Sequence, residues 1–189
     1  EYIIAVTGSN GKTSTVEMIA HILQEGGKTV AYNKEGSNQI EGVTTFILCN
    51  STMGGKVKSD ILLIESDERF AQYTFKYFTP THYVITNLYR DQLTRNGHPE
   101  WVYDCLKNSI HDGTQLILNA DDPNSSFLGE NNNKRFFAIA DQHADVFETN
   151  VSDFPVCPKC GTIPVFNYRH YRAIGNFYCP HCGLKSKTG

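Results

Sequence analysis

Short apolar runs, separated by polar or glycine-containing turns, recur along most of the chain: Tyr2 to Val6, Thr29 to Tyr32, Ile61 to Ile64, Tyr83 to Thr86, Gln115 to Leu118 and Phe136 to Ala140. They are rich in β-branched and aromatic residues and read as buried strands. Between the first two, Val16, Ile19, Ala20 and Leu23 recur at i, i+3, i+4 and i+7, the period of a helix with one apolar face, and Gly26-Gly27 supplies its stop. The same period returns in Ile40, Val43, Thr44, Ile47 and Leu48. It returns again in Val102, Cys105, Leu106 and Ile110, behind Pro99 as a first-turn proline. Strands alternating with helices predict an α/β fold, a mostly parallel sheet with helices on both faces.

The periodicity fades from Asp141 to Phe154 while acidic residues accumulate, which places a division there: residues 1–150 form the α/β domain and 151–189 a second unit. That second unit is rich in Cys, Pro, Gly and Tyr and too short to build an apolar core without a staple such as a metal. With 40% hydrophobic and 20% charged residues among 189, the chain has the profile of a folded globular protein. No run approaches the roughly 18 apolar residues of a membrane span, and the first residues lack the basic flank and apolar core of a signal peptide. The net charge of -3 gives no basic footprint for nucleic acid. The chain starts at Glu1 one residue ahead of a strand, so a longer parent protein is expected, and nothing in the cysteine usage asks for an oxidising compartment; the expected location is the cytoplasm.

Strand Tyr2 to Val6 runs into Thr7-Gly8-Ser9-Asn10-Gly11-Lys12-Thr13-Ser14 and directly on into the first helix, the context that a phosphate-binding loop requires. Glycines let backbone N–H groups turn around an anion, the helix N-terminus adds partial positive charge, Lys12 reaches the β- and γ-phosphates, and the Thr13 hydroxyl can ligate Mg²⁺. The loop departs from the full G-x-x-x-x-G-K-[ST] pattern, because Val6 stands where its first glycine belongs. Glu65 closes the strand Ile61 to Ile64. Read alone it is equally the first polar residue after a core strand, but beside a phosphate loop it is a candidate Mg²⁺ ligand at the carboxyl end of a neighbouring strand.

Cys157-Pro158-Lys159-Cys160-Gly161 and Cys179-Pro180-His181-Cys182-Gly183 leave 18 residues between their inner cysteines. Two Cys-x-x-Cys pairs at this spacing are a zinc-ribbon signal, in which Cys157, Cys160, Cys179 and Cys182 close a tetrahedral, structural site. A redox dithiol would explain one pair but not two, and His170 and His181 read as surface residues. Because zinc ribbons also serve nucleic-acid recognition, an NTP-dependent nucleic-acid-binding module is a rival reading, with Lys159, Arg169, Arg172, Lys185 and Lys187 interleaved with tyrosines.

The loop T-G-S-N-G-K-T-S resembles the T-G-T-N-G-K-T loop of the Mur ligase family. In order along the chain, Ile61-Leu62-Leu63-Ile64-Glu65 resembles that family's strand ending in a metal-binding glutamate. Tyr83-Val84-Ile85-Thr86-Asn87-Leu88 resembles its next strand and Asn, and Leu118-Asn119-Ala120-Asp121-Asp122-Pro123 resembles its N-A-D-D-P segment. Within the family the MurT branch is most similar, through Asn33-Lys34-Glu35-Gly36-Ser37-Asn38 followed by Gly42, through Asn87-Leu88-Tyr89-Arg90-Asp91-Gln92-Leu93-Thr94-Arg95, and through the cysteine ribbon. Gln92 stands where many Mur ligases have His, and Thr94 where the branch usually has Asp. Lys107 lies near a lysine that many of them carbamylate, yet reads here as a solvated helix lysine.

The resemblance implies a Mur ligase central domain using ATP and Mg²⁺. Lys12 and Glu65 would be the catalytic groups, Gly8, Ser9, Asn10, Gly11, Lys12, Thr13, Ser14 and Asn87 the nucleotide site, and Thr13 and Glu65 the Mg²⁺ ligands. It further implies a ligase subunit of peptidoglycan biosynthesis that amidates the D-glutamate of lipid II with ammonia from a GatD-like glutamine amidotransferase. Nucleic acid would then be no partner, and the membrane would be met only through the lipid-linked substrate. Another Mur-type amide ligase stays open as an alternative.

Overall fold

The computed structural model describes residues 2–33, 37–88, 99–139, 156–171 and 174–187. Six strands, β1 (Tyr2–Thr7), β2 (Val30–Tyr32), β3 (Ile61–Glu65), β4 (His82–Ile85), β5 (Gln115–Asn119) and β6 (Lys134–Phe137), form one sheet in the order β2-β3-β1-β4-β5-β6. Every pairing in it is parallel. The helices are α1 (Lys12–Glu25), α2 (Ile40–Cys49), α3 (Ala71–Thr74), α4 (Pro99–Ser109) and α5 (Pro123–Phe127), and an antiparallel hairpin, β7 (Val165–Tyr171) and β8 (Ile174–Tyr178), forms a second sheet.

The side-chain alternation of the strands divides the core in two. On one face Val6, Leu63 and Val84 pack with Val16 and Ala20 of α1. On the other, Ala5, Tyr83, Ile85, Leu116 and Leu118 pack with Ala71 of α3, Val102 and Leu106 of α4, and Phe75. A parallel sheet needs both faces covered, and the α1 stripe read from the sequence is the one that lies on the sheet. Helix α1 stops where expected: Gly27 takes a φ of 77° and the Lys28 N–H returns to the Leu23 carbonyl at 3.0 Å.

Two strands differ from the expectation of full burial. β2 and β6 are the sheet edges, and Tyr32 and Phe137 are 39% and 41% exposed. The last strand also begins earlier than Phe136, because Lys134 and Arg135 pair with Leu116 and Ile117 of β5. Charged residues are tolerated there because an edge strand is partly solvated. Helices α3 and α5 have four and five residues and so leave no periodic signature in the sequence. The expected division over residues 141–154, the stretch 89–95 with Gln92 and Thr94, and residues 34–36 lie outside the described residues.

β1 sits between β3 and β4, and the connections that leave β1 and β4 run in opposite directions across the sheet. Neighbouring strands whose connections diverge open a crevice at their carboxyl ends, the place where open α/β sheets bind ligands.

Candidate functional site

The glycine loop lies in that crevice. Gly8 has a φ of 135°, and a Cβ built on it would stand 2.1 Å from Thr86 Oγ1 and 2.9 Å from the Asn87 carbonyl oxygen. Only glycine lets the loop press so close to the end of β4. Gly11, with φ of 79°, then turns the chain into α1. The loop is tied to β4 on both sides: Ser9 N–H donates to the Asn87 carbonyl at 2.8 Å, Asn10 N–H to Asn87 Oδ1 at 3.1 Å, and the Thr86 hydroxyl to the Asn10 carbonyl at 2.8 Å. Asn87 Nδ2 also donates to the Asn10 carbonyl at 3.1 Å. Asn87 therefore fixes the shape of the loop. Ser14 is exposed on the first turn of α1.

Thr13 donates its hydroxyl to Glu65 Oε2 at 2.9 Å, and Asn38 Nδ2 donates to Glu65 Oε1 at 3.0 Å. The buried Asn33 side chain clamps the backbone of the same glutamate. It accepts from Glu65 N–H at 2.7 Å and donates to the Glu65 carbonyl at 2.9 Å and the Ser37 carbonyl at 2.8 Å. The Thr13 and Glu65 oxygens are separated by the edge length of an octahedron around Mg²⁺, roughly 2.9 Å for metal–oxygen bonds of roughly 2.1 Å. The pair therefore fits that ion.

Lys12 Nζ donates to the Gly8 carbonyl at 2.6 Å and forms an ion pair with Glu68 Oε2 at 3.3 Å. Next to it Arg69 binds Asp67 through Nε at 3.0 Å and through Nη2 at 2.8 Å. Burial opposes ionisation of Asp67, but the hydrogen bonds and charge of Arg69 hold its carboxyl below the usual range. Glu65, Ser66, Asp67 and Glu68 are all buried, so the polar run after β3 is an interior wall of the crevice and not a solvated turn.

The N-A-D-D-P segment supports the crevice from behind. Asn119 Nδ2 donates to the Thr86 carbonyl at 2.9 Å, and Asp122 accepts from the N–H groups of Leu88 and Asn124, capping α5 with Pro123 at its first turn. Burial pushes the Asp122 carboxyl up to about 7 against the pull of these donors.

In the ribbon, two knuckles repeat one hydrogen-bond pattern. Cys157 N–H donates to the Thr162 carbonyl at 2.8 Å and Gly161 N–H to the Cys157 carbonyl at 2.8 Å; Cys179 N–H donates to the Leu184 carbonyl at 2.6 Å and Gly183 N–H to the Cys179 carbonyl at 3.0 Å. They bring the Sγ atoms of Cys157, Cys160, Cys179 and Cys182 within 4.8 Å of one another. Cys157 to Cys182 and Cys160 to Cys179 are both 3.5 Å, too long for the roughly 2.05 Å of a disulfide. They are close to the roughly 3.8 Å edge of a tetrahedron with Zn–S bonds of about 2.3 Å. The donor set thus fits zinc. Hydrogen bonds from Thr162 hold the Cys160 thiol down at about 5, while burial pushes Cys157 up to about 12, so Cys157 must give up a proton to join a thiolate shell. His181 is exposed and outside the cluster. The hairpin touches the sheet domain: Gly175 N–H donates to the Asp121 carbonyl at 2.8 Å, and His170 Nε2 lies 3.2 Å from the carbonyl of Ile139, whose N–H donates to Asp121 Oδ2 at 2.8 Å.

Residues 6–173 match the model of the Mur ligase middle domain. The chain belongs to the Mur ligase family. It is 34% identical over 97% of its length to subunit MurT of lipid II isoglutaminyl synthase (glutamine-hydrolyzing) from Staphylococcus aureus strain COL, and 31% identical over 97% to the subunit of that name from Streptococcus pneumoniae strain R6. It spans 41% of the length of each. Among solved structures, a pseudomurein peptide ligase type C from Methanothermus fervidus superposes over 100% of this chain and 37% of its own, with a TM-score of 0.78 and 26% identity. The Mur ligase fold, a parallel sheet with flanking helices, is thus the one read from the sequence.

Sequence reasoning did not find Glu68 as the partner of Lys12, nor the holding roles of Asn33, Asn38 and Thr86. The available signal was the run Glu65-Ser66-Asp67-Glu68, three carboxylates in four residues directly past the apolar run Ile61 to Ile64.

Proposed function

We propose that the parent protein is an ATP-dependent amide ligase of peptidoglycan biosynthesis, and that this chain is its nucleotide-binding and phosphoryl-transfer domain. The observation that carries the reading is the likeness to MurT over 97% of the chain. The crevice supports it: loop, Lys12, Thr13 and Glu65 converge on one place beside β1. In its finer form, ATP phosphorylates the α-carboxyl of D-glutamate in the lipid II stem peptide. A carboxylate oxygen attacks the γ-phosphorus and ADP leaves. Ammonia from a GatD-like glutamine amidotransferase then adds to the acyl-phosphate carbonyl and loses a proton, and expulsion of phosphate leaves D-isoglutamine.

The chain's own residues act on charge and position. With the Ser9 and Asn10 N–H groups engaged by Asn87, the N–H groups at the start of α1 and the Lys12 ammonium hold the phosphates, and they strengthen as negative charge gathers on the transferring group. Thr13 and Glu65 would hold Mg²⁺, which would supply neutralisation of phosphate charge there. The acceptor carboxylate is itself the nucleophile, so the domain needs none. The ribbon serves architecture or subunit contact, since four cysteines close a tetrahedral shell without a catalytic vacancy. Membrane contact in this reading comes only through the lipid of the substrate; among the described residues no helix is long and apolar enough to cross a membrane.

The test is phosphate release by the full-length protein with Mg²⁺, lipid II and the glutaminase. Turnover is expected to require the acceptor and either glutamine or ammonia. ATPase activity that ignores the acceptor and rises with DNA or RNA would instead promote the nucleic-acid module.

A further inference from the structure

We infer that Glu68 makes nucleotide capture at this loop conditional on a divalent cation, by holding Lys12 in an internal ion pair. The inference rests on the proposed ATP site and adds to it a selection between metal-bound and free nucleotide. A lysine ammonium has three N–H donors. In this crevice one is on the Gly8 carbonyl at 2.6 Å and a second faces Glu68 Oε2 at 3.3 Å. The pair is withdrawn from water, with the Lys12 and Glu68 side chains 15% and 5% exposed, so the charge of Lys12 is cancelled locally and not merely screened.

The surrounding charges do not restore it. Arg69 is occupied by Asp67, and Glu65 stands against Thr13 and Asn38. Among the described residues, Lys12 and Arg69 face three carboxylates, Glu65, Asp67 and Glu68, a balance of one negative charge beside the loop. Free ATP, a tetra-anion when fully ionised, meets no net positive side-chain charge among these groups, only the N–H groups at the start of α1. A divalent ion on Thr13 and Glu65 reverses the sign of the site, and the γ-phosphate can then compete with Glu68 for the Lys12 ammonium. Glu68 acts through Lys12 and is a positioning residue.

Binding of ATP to the full-length protein, measured by titration calorimetry in excess EDTA and in excess Mg²⁺, tests this. A carboxylate several Å from a phosphate at an effective dielectric constant of about 20 is worth about tenfold or more in affinity. Glu68→Gln is therefore expected to tighten metal-free ATP binding at least about tenfold while changing Mg-ATP affinity less than about threefold. In the unaltered protein, metal-free affinity is expected not to rise from AMP through ADP to ATP, a measurement that does not depend on a variant folding. Equal metal-free affinity in wild type and a folded Glu68→Gln, or wild-type ATP binding as tight in EDTA as in Mg²⁺, overturns the inference. Lys12→Ala separates it from the reading beneath: unchanged Mg-ATP affinity in that variant moves the nucleotide elsewhere and removes both.

Discussion

Thr13, on the first turn of α1, donates its hydroxyl to Glu65 at the end of β3, across 2.9 Å and 52 residues of sequence. The two groups belong to different elements and meet because β1 and β3 are paired in register, Val6 opposite Glu65. Glu65→Gln keeps the size of the side chain and removes its charge. The expected outcome is a fall in acceptor-dependent turnover of at least about 100-fold, as for loss of a group that stabilises transition-state charge. Steady-state kinetics over a Mg²⁺ series, with a thermal melt showing the fold intact, checks it.

Gly8→Ala is expected to destabilise the domain by about 2–4 kcal/mol, since a side chain at φ of 135° meets Thr86 Oγ1 and the backbone of Asn87. Denaturant unfolding gives the number. Gly55→Ala has φ of 77° but nothing within 4 Å of the added carbon, so it should cost only the backbone strain, about 1–2 kcal/mol.

One zinc per chain is expected on Cys157, Cys160, Cys179 and Cys182, and elemental analysis of protein purified without added metal counts it. Cobalt substitution should give the absorption of a tetrahedral thiolate site. Release of zinc is expected to rise as pH falls, because protons compete for the four sulfurs. A ribbon that keeps its structure after chelation speaks against the metal.

Asp122 supplies a pH test. Its folded-state carboxyl is raised by burial to about 7, above the ordinary 3.8. Between those values the folded chain holds a proton that the unfolded chain has released. Stability is therefore greatest below about 4, falls as pH rises, and levels off above about 7. Asp122→Ala should lose that slope while also losing the α5 cap, which lowers stability at every pH. Urea unfolding of both proteins across pH 4–8 compares them.

Strands at the sheet centre were legible because burial on both faces writes itself as an unbroken apolar run, as in Ile61-Leu62-Leu63-Ile64. The shapes of the glycine loop and of the cysteine knuckles were legible because each is a local motif whose geometry depends on glycines at fixed spacing. Glu68 was not. A glutamate past a strand has the same letter whether it faces water or a lysine, and its partner lies 56 residues away. Asn33 and Asn38 appeared as parts of a segment, yet their contact with Glu65 depends on how the end of β2 returns to β3. The edges of the sheet were misjudged for a related reason: Phe137 and Tyr32 carry strand-forming side chains, and only the topology shows that among the described residues no further strand pairs beyond them.

The bond from Gly175 to Asp121 is made by backbone atoms on both sides. Replacement of the Asp121 side chain therefore leaves that tether in place. Gly175 is different, because a Cβ there would stand 2.1 Å from the Tyr168 carbonyl oxygen and 2.7 Å from Arg169 Cα. Mutational tolerance across this junction is thus lopsided: the sheet side is free to drift at this contact, and the hairpin side is confined to a single residue type. A ribbon transplanted onto a related scaffold would carry its own half of the joint, needing from its new host carbonyls where those of Asp121 and Ile139 stand, the second 3.2 Å from His170 Nε2.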